Sequence, residues 1–110
     1  IKKILLVDDD VGLAAALTTA ARIYLAKNEL PQAESFAQAA LKISEGIARD
    51  PTQSADVGEA ALALAALQQA KGDQVAARAN ADRAVTALTN GLGDKHATTR
   101  EATALQAALH

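Results

Sequence analysis

The chain has 110 residues, the length of one domain, and contains no cysteine, so disulfides and thiolate metal or redox sites are excluded. Its 11 basic and 13 acidic residues leave a net charge of −2, which argues against a surface that binds nucleic acid. No apolar run approaches the roughly 20 residues of a membrane span, so we expect a cytoplasmic protein without a membrane partner.

Alanine dominates the apolar residues, supplying 29 of the 55. Alanine loses no side-chain entropy in a helix, and its small side chain lets two helices approach closely. Glycine (6) and proline (2) are scarce, so little in the chain interrupts helices. The composition therefore predicts an all-α fold with closely packed helices.

The first segment, residues 1–10, differs from the rest. Residues 1–7 are apolar and partly β-branched, which predicts a strand. We interpret Asp8, Asp9 and Asp10 as acids that cap the first helix. A lone strand leaves backbone groups unpaired, so this segment must pair with another chain, extend the first helix, lie in a groove or stay disordered. We expect a short extended leader of different origin, fused to a helical domain.

The first hairpin is predicted to consist of helices over residues 11–27 and 31–49. Pro31 suits the first position of the second helix, where an N–H has no intrahelical partner. The residues expected to face inward are Leu13, Leu17, Ala20, Ala21 and Tyr24, then Ala33, Phe36, Ala37, Ala40, Leu41, Ile43 and Ile47.

Capping signals divide the remaining chain into three helices. Residues 50–53 (Asp-Pro-Thr-Gln) resemble an N-terminal capping box, with Ser54 as a competing cap. Residues 71–73 (Lys-Gly-Asp) combine a C-cap glycine with an N-cap aspartate, and residues 98–101 form a box that opens a fifth helix. The expected inward residues are Val57, Ala60, Ala61, Leu64, Leu67, Val75, Ala77, Ala81, Ala84, Val85, Leu88, Ala102, Leu105, Ala108 and Leu109.

An internal repeat appears at an offset of 44 residues. The turn at residues 27–29 falls on the turn at residues 71–73. The identical pairs are Ala16/Ala60, Ala21/Ala65, Ala26/Ala70, Lys27/Lys71, Ala33/Ala77, Ala37/Ala81 and Ala40/Ala84. One hairpin cannot bury its apolar face alone, but stacked hairpins can. We predict about two and a half repeats: hairpins over residues 11–49 and 51–90, and an extra helix over residues 98–110.

The repeat resembles the tetratricopeptide family over residues 14–110. The matching positions are Leu17, Ala20, Ala21, Tyr24, Ala33 and Ala40, then Leu64, Ala65, Gly72, Asp73, Ala77 and Ala84. Gln68 replaces the tyrosine in the second unit, and the family's proline appears only at Pro51. The long connection at residues 92–98 (Leu-Gly-Asp-Lys-His-Ala-Thr) is similar to the kinesin-light-chain type of repeat.

This resemblance implies a protein–protein interaction module. The first helix of each hairpin would line a concave groove for a peptide or a partner helix. The groove residues that it implies are Thr18, Arg22, Leu25, Glu59, Leu62, Ala66 and Gln69. The alternative is that these residues contact a neighbouring repeat or a second copy of the chain.

Residues 2–10 also resemble the first strand of a response-regulator receiver domain. By that resemblance, Asp8 and Asp9 would hold Mg²⁺ and Asp50 would accept a phosphoryl group. Residues 43–49, which precede the acceptor, do not form a buried-strand run. This signalling function is therefore the alternative, and we expect no metal at the aspartates.

Nothing in the sequence marks a catalytic centre. The chain lacks a G-x-S-x-G motif, and no partner lies at metal-ligand spacing from His96 or His110. We therefore expect neither an enzyme nor a cofactor.

Overall fold

The computed structural model describes the backbone of residues 2–110 and the side chains of residues 12–110. The elements are α1 (Lys2–Ala26), α2 (Leu30–Ile47), a 3₁₀ turn (Pro51–Gln53), α3 (Ala55–Lys71), α4 (Gln74–Leu92) and α5 (Ala97–Leu109). Residues 2–110 contain no strand, so the prediction of an all-α hairpin stack is confirmed. None of the described helices is both long enough and apolar enough to cross a membrane.

The prediction of a strand at the start of the chain is wrong for residues 2–7, which form the beginning of α1. Asp8, Asp9 and Asp10 consequently lie within a helix and do not cap it. Extending the first helix was one of the alternatives, and it pairs the backbone groups within the segment. Ile1 and the side chains of residues 2–11, including the three carboxylates, lie outside the described part of the chain.

Two layers of helices make up the stack. α1 packs against α2 and α3 against α4 as antiparallel hairpins, and α2 and α4 also pack against the following helices, α3 and α5. α3 further contacts α1 and α5, so these three helices form one layer while α2 and α4 form the other. α3 therefore lies at the centre, and nine of its residues are buried.

The two hairpin turns repeat each other in detail. Asn28 and Gly72 both adopt the left-handed conformation, with φ of 61° and 87°. The N–H of each donates to the carbonyl three residues before it, at 2.9 and 3.0 Å. The N–H groups of Glu29 and Asp73 donate to the carbonyl five residues before them, both at 2.9 Å. The 44-residue offset is thus a structural repeat at the turns.

Alanine forms most of the contact surface between helices. The alanines that the repeat places in the second helix of each hairpin are fully buried, namely Ala33, Ala37, Ala40, Ala77, Ala81 and Ala84. Among residues 12–110, the largest fully buried apolar side chains are Leu67, Leu88, Leu109 and Val57. Small residues at these positions allow short distances between helix axes, as the composition indicated.

Four residues predicted to face inward are exposed. Leu13 is 45% exposed, because α1 is oriented so that Ala14 faces the core instead. Ile47 ends α2, and Val75, which is 80% exposed, stands in the first turn of α4. Ala108 is exposed near the end of α5. At helix ends one side of the helix has no neighbour to cover it.

The caps differ in part from the prediction. The carboxylate of Asp50 accepts from Thr52 N–H and opens only the 3₁₀ turn, while Ser54 Oγ accepts from Val57 N–H and caps α3. At α5 the cap is His96, whose Nδ1 accepts from Thr98 N–H, rather than Thr98. Asp50 therefore begins a turn between helices, and residues 2–110 provide no sheet for a receiver domain.

Candidate functional site

A cavity of about 370 Å³ lies where α1, α3 and α5 meet. Its lining residues are Arg22, Leu25 and Ala26 from α1, Leu62, Ala63 and Ala66 from α3, and Glu101 and Leu105 from α5. These three helices are the first helices of successive repeats, so the cavity lies on the layer for which the sequence predicted a groove. Its floor is aliphatic and its charged groups lie on one side.

Four of the seven predicted groove residues line this cavity: Arg22, Leu25, Leu62 and Ala66. Leu62 is only 3% exposed, so it forms the floor while the others form the walls. The alanines beside it keep the space open because a larger side chain on α3 would fill it.

The other three predicted residues lie elsewhere. Thr18 is buried, and its hydroxyl donates to the carbonyl of Ala14 at 3.1 Å. Gln69 is exposed near the end of α3, outside the lining of the cavity. Glu59 precedes Leu62 by almost one turn and is half-buried. Thr18 is therefore a core residue, whereas Glu59 lies outside the lining of the cavity but close enough to Arg22, a lining residue, for that cation to affect its pKa.

An ion pair closes one side of the cavity. Arg22 Nη2 on α1 donates to both carboxylate oxygens of Glu101 on α5, at 2.5 and 2.9 Å. The two residues are 79 positions apart in sequence, and both side chains remain nearly half exposed. The ion pair joins α1 to α5 and neutralises the charge of Arg22, the cation that was predicted to lie in the groove.

The carboxyl of Glu59 has a raised pKa. Burial is the largest cause, and the neighbouring carboxylate of Asp56 adds to it, while Arg22 and His96 act in the opposite direction. Within residues 12–110, no donor hydrogen bonds to the Glu59 carboxylate. This glutamate is thus a partly desolvated acid on α3, about one turn before Leu62, which lines the cavity.

Glu101 and Leu105 were not predicted as site residues. A second offset, of 42 residues, relates α3 to α5 and pairs Glu59 with Glu101, Ala60 with Ala102 and Leu67 with Leu109. Applying it to the predicted groove positions on α3 would have placed Glu101 in the groove. The contact between Glu101 and Arg22 has no local signal in the sequence.

A second, shallower concavity of about 520 Å³ lies at the edge of the first hairpin. Its lining residues are Leu17, Pro31, Gln32, Ser35, Phe36 and Ala39. The ring of Phe36 stacks on Tyr24 with centroids 5.3 Å apart. Within residues 12–110, no second hairpin covers this edge, and its lining is largely apolar.

Both histidines of the chain have polar partners. His96 Nδ1 caps α5, and His110 Nε2 lies 3.4 Å from Asp82 Oδ1. Hydrogen bonds from Gln106 and His110 lower the pKa of Asp82. The side chains described by the structure contain no group of three or more His, Asp or Glu residues that could hold a metal ion.

The comparisons with known proteins add no relative. We found no matching family model, no similar curated protein and no similar solved structure. The case for a function therefore rests on the geometry of this chain.

Proposed function

We propose that the chain is a protein–protein interaction module without catalytic activity, and that it binds a peptide or a partner helix through the face formed by α1, α3 and α5. The observation that carries the proposal is the aliphatic cavity between Leu25, Leu62 and Leu105. A cavity of about 370 Å³ accommodates one or two aliphatic side chains, not a large cofactor. Membership of the tetratricopeptide family and a cytoplasmic location remain part of this proposal.

Three features support a partner segment. The cavity lies on the layer that contains the first helix of every repeat, and residues of all three of these helices line it. Its floor is preformed by buried Leu62, so binding requires little reordering of the backbone. Its rim contains charged side chains that give orientation and specificity to an apolar contact.

The test is selection of binding peptides from a library of random short peptides displayed on phage. We expect peptides with aliphatic residues to be enriched and to bind the Ala66→Leu variant at least about tenfold more weakly, because the new side chain fills the cavity. Ala70→Leu is the matched control, since Ala70 is exposed on the same helix outside the lining. No enrichment, or equal binding to both variants, would contradict the proposal.

Self-association through the same face is the competing outcome. Light scattering of wild type and Ala66→Leu over a range of concentrations distinguishes it. We expect a monomer in both cases. If wild type is a dimer and Ala66→Leu is a monomer, the partner on this face is a second copy of the chain and not another protein.

A further inference from the structure

The charges around the cavity restrict what can enter it. Arg22 is held by both oxygens of Glu101, at 2.5 and 2.9 Å, so the cation on the rim already has a carboxylate partner. Glu59 has no hydrogen-bond donor within residues 12–110. Asp56 stands almost one turn before it and contributes a second negative charge. The part of α3 that contains Glu59 and Asp56 therefore carries negative charge, which Arg22 and His96 offset only in part.

The position of Glu59 on α3 lets it contact a segment that binds in the cavity. It precedes Leu62 and Ala63 on α3 by three and four residues, the spacing at which helix side chains share a face. One helical turn rises about 5.4 Å, which is within the reach of a lysine or arginine side chain from an anchor placed on Leu62. An aliphatic anchor in the cavity and a cation against Glu59 can thus come from neighbouring residues of one segment.

We propose that the partner is a basic amphipathic segment, which places an aliphatic side chain in the cavity and a lysine or arginine about one turn away against the carboxylate of Glu59. The inference rests on the proposed function, since it names the chemistry of the segment that this face binds. Charge complementarity is the argument: covering Glu59 with an apolar or acidic segment desolvates it further, while the nearby cation of Arg22 is already hydrogen bonded to Glu101. A cation supplies a counter-ion, so this contact selects among partners that the cavity alone would accept.

The experiment uses three sets of degenerate peptides on an array, with acetylated and amidated ends. The first set fixes a leucine and a lysine four residues apart, the second replaces the lysine with glutamate, and the third replaces the leucine with alanine. Labelled wild-type protein is expected to bind the leucine–lysine set about fivefold or more above each of the others, which corresponds to about 1 kcal/mol.

Two variants locate the effect. Glu59→Gln is expected to lose the preference for lysine over glutamate while still binding the leucine-containing sets. Glu34→Gln removes the same charge from α2, where Glu34 pairs with Lys71 at 3.0 Å, and is expected to keep the preference. Because both variants have the same net charge, general attraction of basic peptides to an acidic protein would affect them equally.

The possible results separate the two proposals. Loss of the preference in Glu59→Gln alone supports the inference. Equal binding of the lysine and glutamate sets, or equal loss in both variants, overturns the inference but leaves the interaction function in place. Failure of all leucine-containing sets to bind overturns the proposed function as well. Circular dichroism of each variant confirms that it is folded.

Discussion

Arg22 and Glu101 form an ion pair between the first and the last helix of the layer, with Nη2–O distances of 2.5 and 2.9 Å. Both residues line the cavity, so the pair forms part of its wall. Its two residues lie 79 positions apart, and only the stacking of hairpins brings them together.

The ion pair should shape the site more than it stabilises the fold. We predict a coupling energy below about 1 kcal/mol in a double-mutant cycle of Arg22→Gln and Glu101→Gln, because both side chains are nearly half exposed to water. Urea unfolding measures the cycle. A coupling of several kcal/mol would mean instead that the pair locks α5 onto the stack.

Two glycines should be needed for close helix contacts. A Cβ atom at Gly91 would lie 2.9 Å from the backbone O of Gln53 and 2.9 Å from the backbone N of Ala55. At Gly58 it would lie 2.6 Å from Leu88 Cγ and 3.2 Å from Leu88 N. We predict that alanine at either position destabilises the fold by about 1–3 kcal/mol, since packed backbone and core atoms must move.

Gly46→Ala is the matched control for these two substitutions. Gly46 lies in α2, and a Cβ there would have no atom within 4 Å. Gly46→Ala is expected to stabilise the fold by about 0.5–1 kcal/mol, because alanine has a higher helix propensity than glycine. Thermal unfolding of the three variants gives the comparison, and destabilisation by Gly46→Ala would disprove this account of the glycines.

The repeat register makes a separate prediction about alanine. Ala40 and Ala84 are equivalent under the 44-residue offset and are both fully buried. Ala40→Leu and Ala84→Leu should each destabilise by about 1–3 kcal/mol because a close helix contact has no room for three more carbons. Ala79→Leu, at an exposed site on α4, should change stability by less than about 0.5 kcal/mol. Urea unfolding tests all three, and neutral results at both buried sites would refute the register.

Glu59 should make stability depend on pH in a defined direction. A carboxyl with a raised pKa in the folded state favours the fold when it is protonated. Its contribution is fully present below the ordinary pKa of 4.5 and is lost as the pH rises through the raised value. The uncharged Glu59→Gln variant should therefore be more stable than wild type at about pH 7 and similar to it at about pH 4.

Urea unfolding at the two pH values gives this difference. Glu34→Gln serves as the control, because it loses an exposed ion pair with Lys71 and should be no more stable than wild type at about pH 7. Equal stability of wild type and Glu59→Gln at both pH values would show that burial does not penalise this carboxylate.

Much of the fold was predictable because its signals are local. Gly72 and Asp73 mark the second hairpin turn by conformational preference and capping, and both act as expected. The alanine pairs at the 44-residue offset identified the buried positions of α2 and α4. The start of α1 was not predictable in this way, since the β-branched residues in this segment favour a strand by propensity, while residues 2–7 form the first turns of α1.

The site was only partly predictable because it depends on contacts between distant helices. The resemblance to tetratricopeptide repeats implied Arg22, Leu25, Leu62 and Ala66 as groove residues, and these four line one cavity. It could not show that the side chain of Thr18 is buried in the core. That burial follows from the orientation of α1, whose buried face contains Ala14 and Thr18 rather than Leu13. The partner of Arg22 is a residue of α5, whose position follows from the packing of three helices rather than from any short motif.

The central claim, that a partner segment binds in the cavity between α1, α3 and α5, is tested most directly by methyl NMR. Leucine methyl groups of the full chain are labelled and titrated with a peptide of the leucine–lysine set. The account predicts shifts at Leu25, Leu62 and Leu105, with Leu17, in the second concavity, unchanged. Shifts confined to Leu17, or no shifts at saturating peptide, would contradict it.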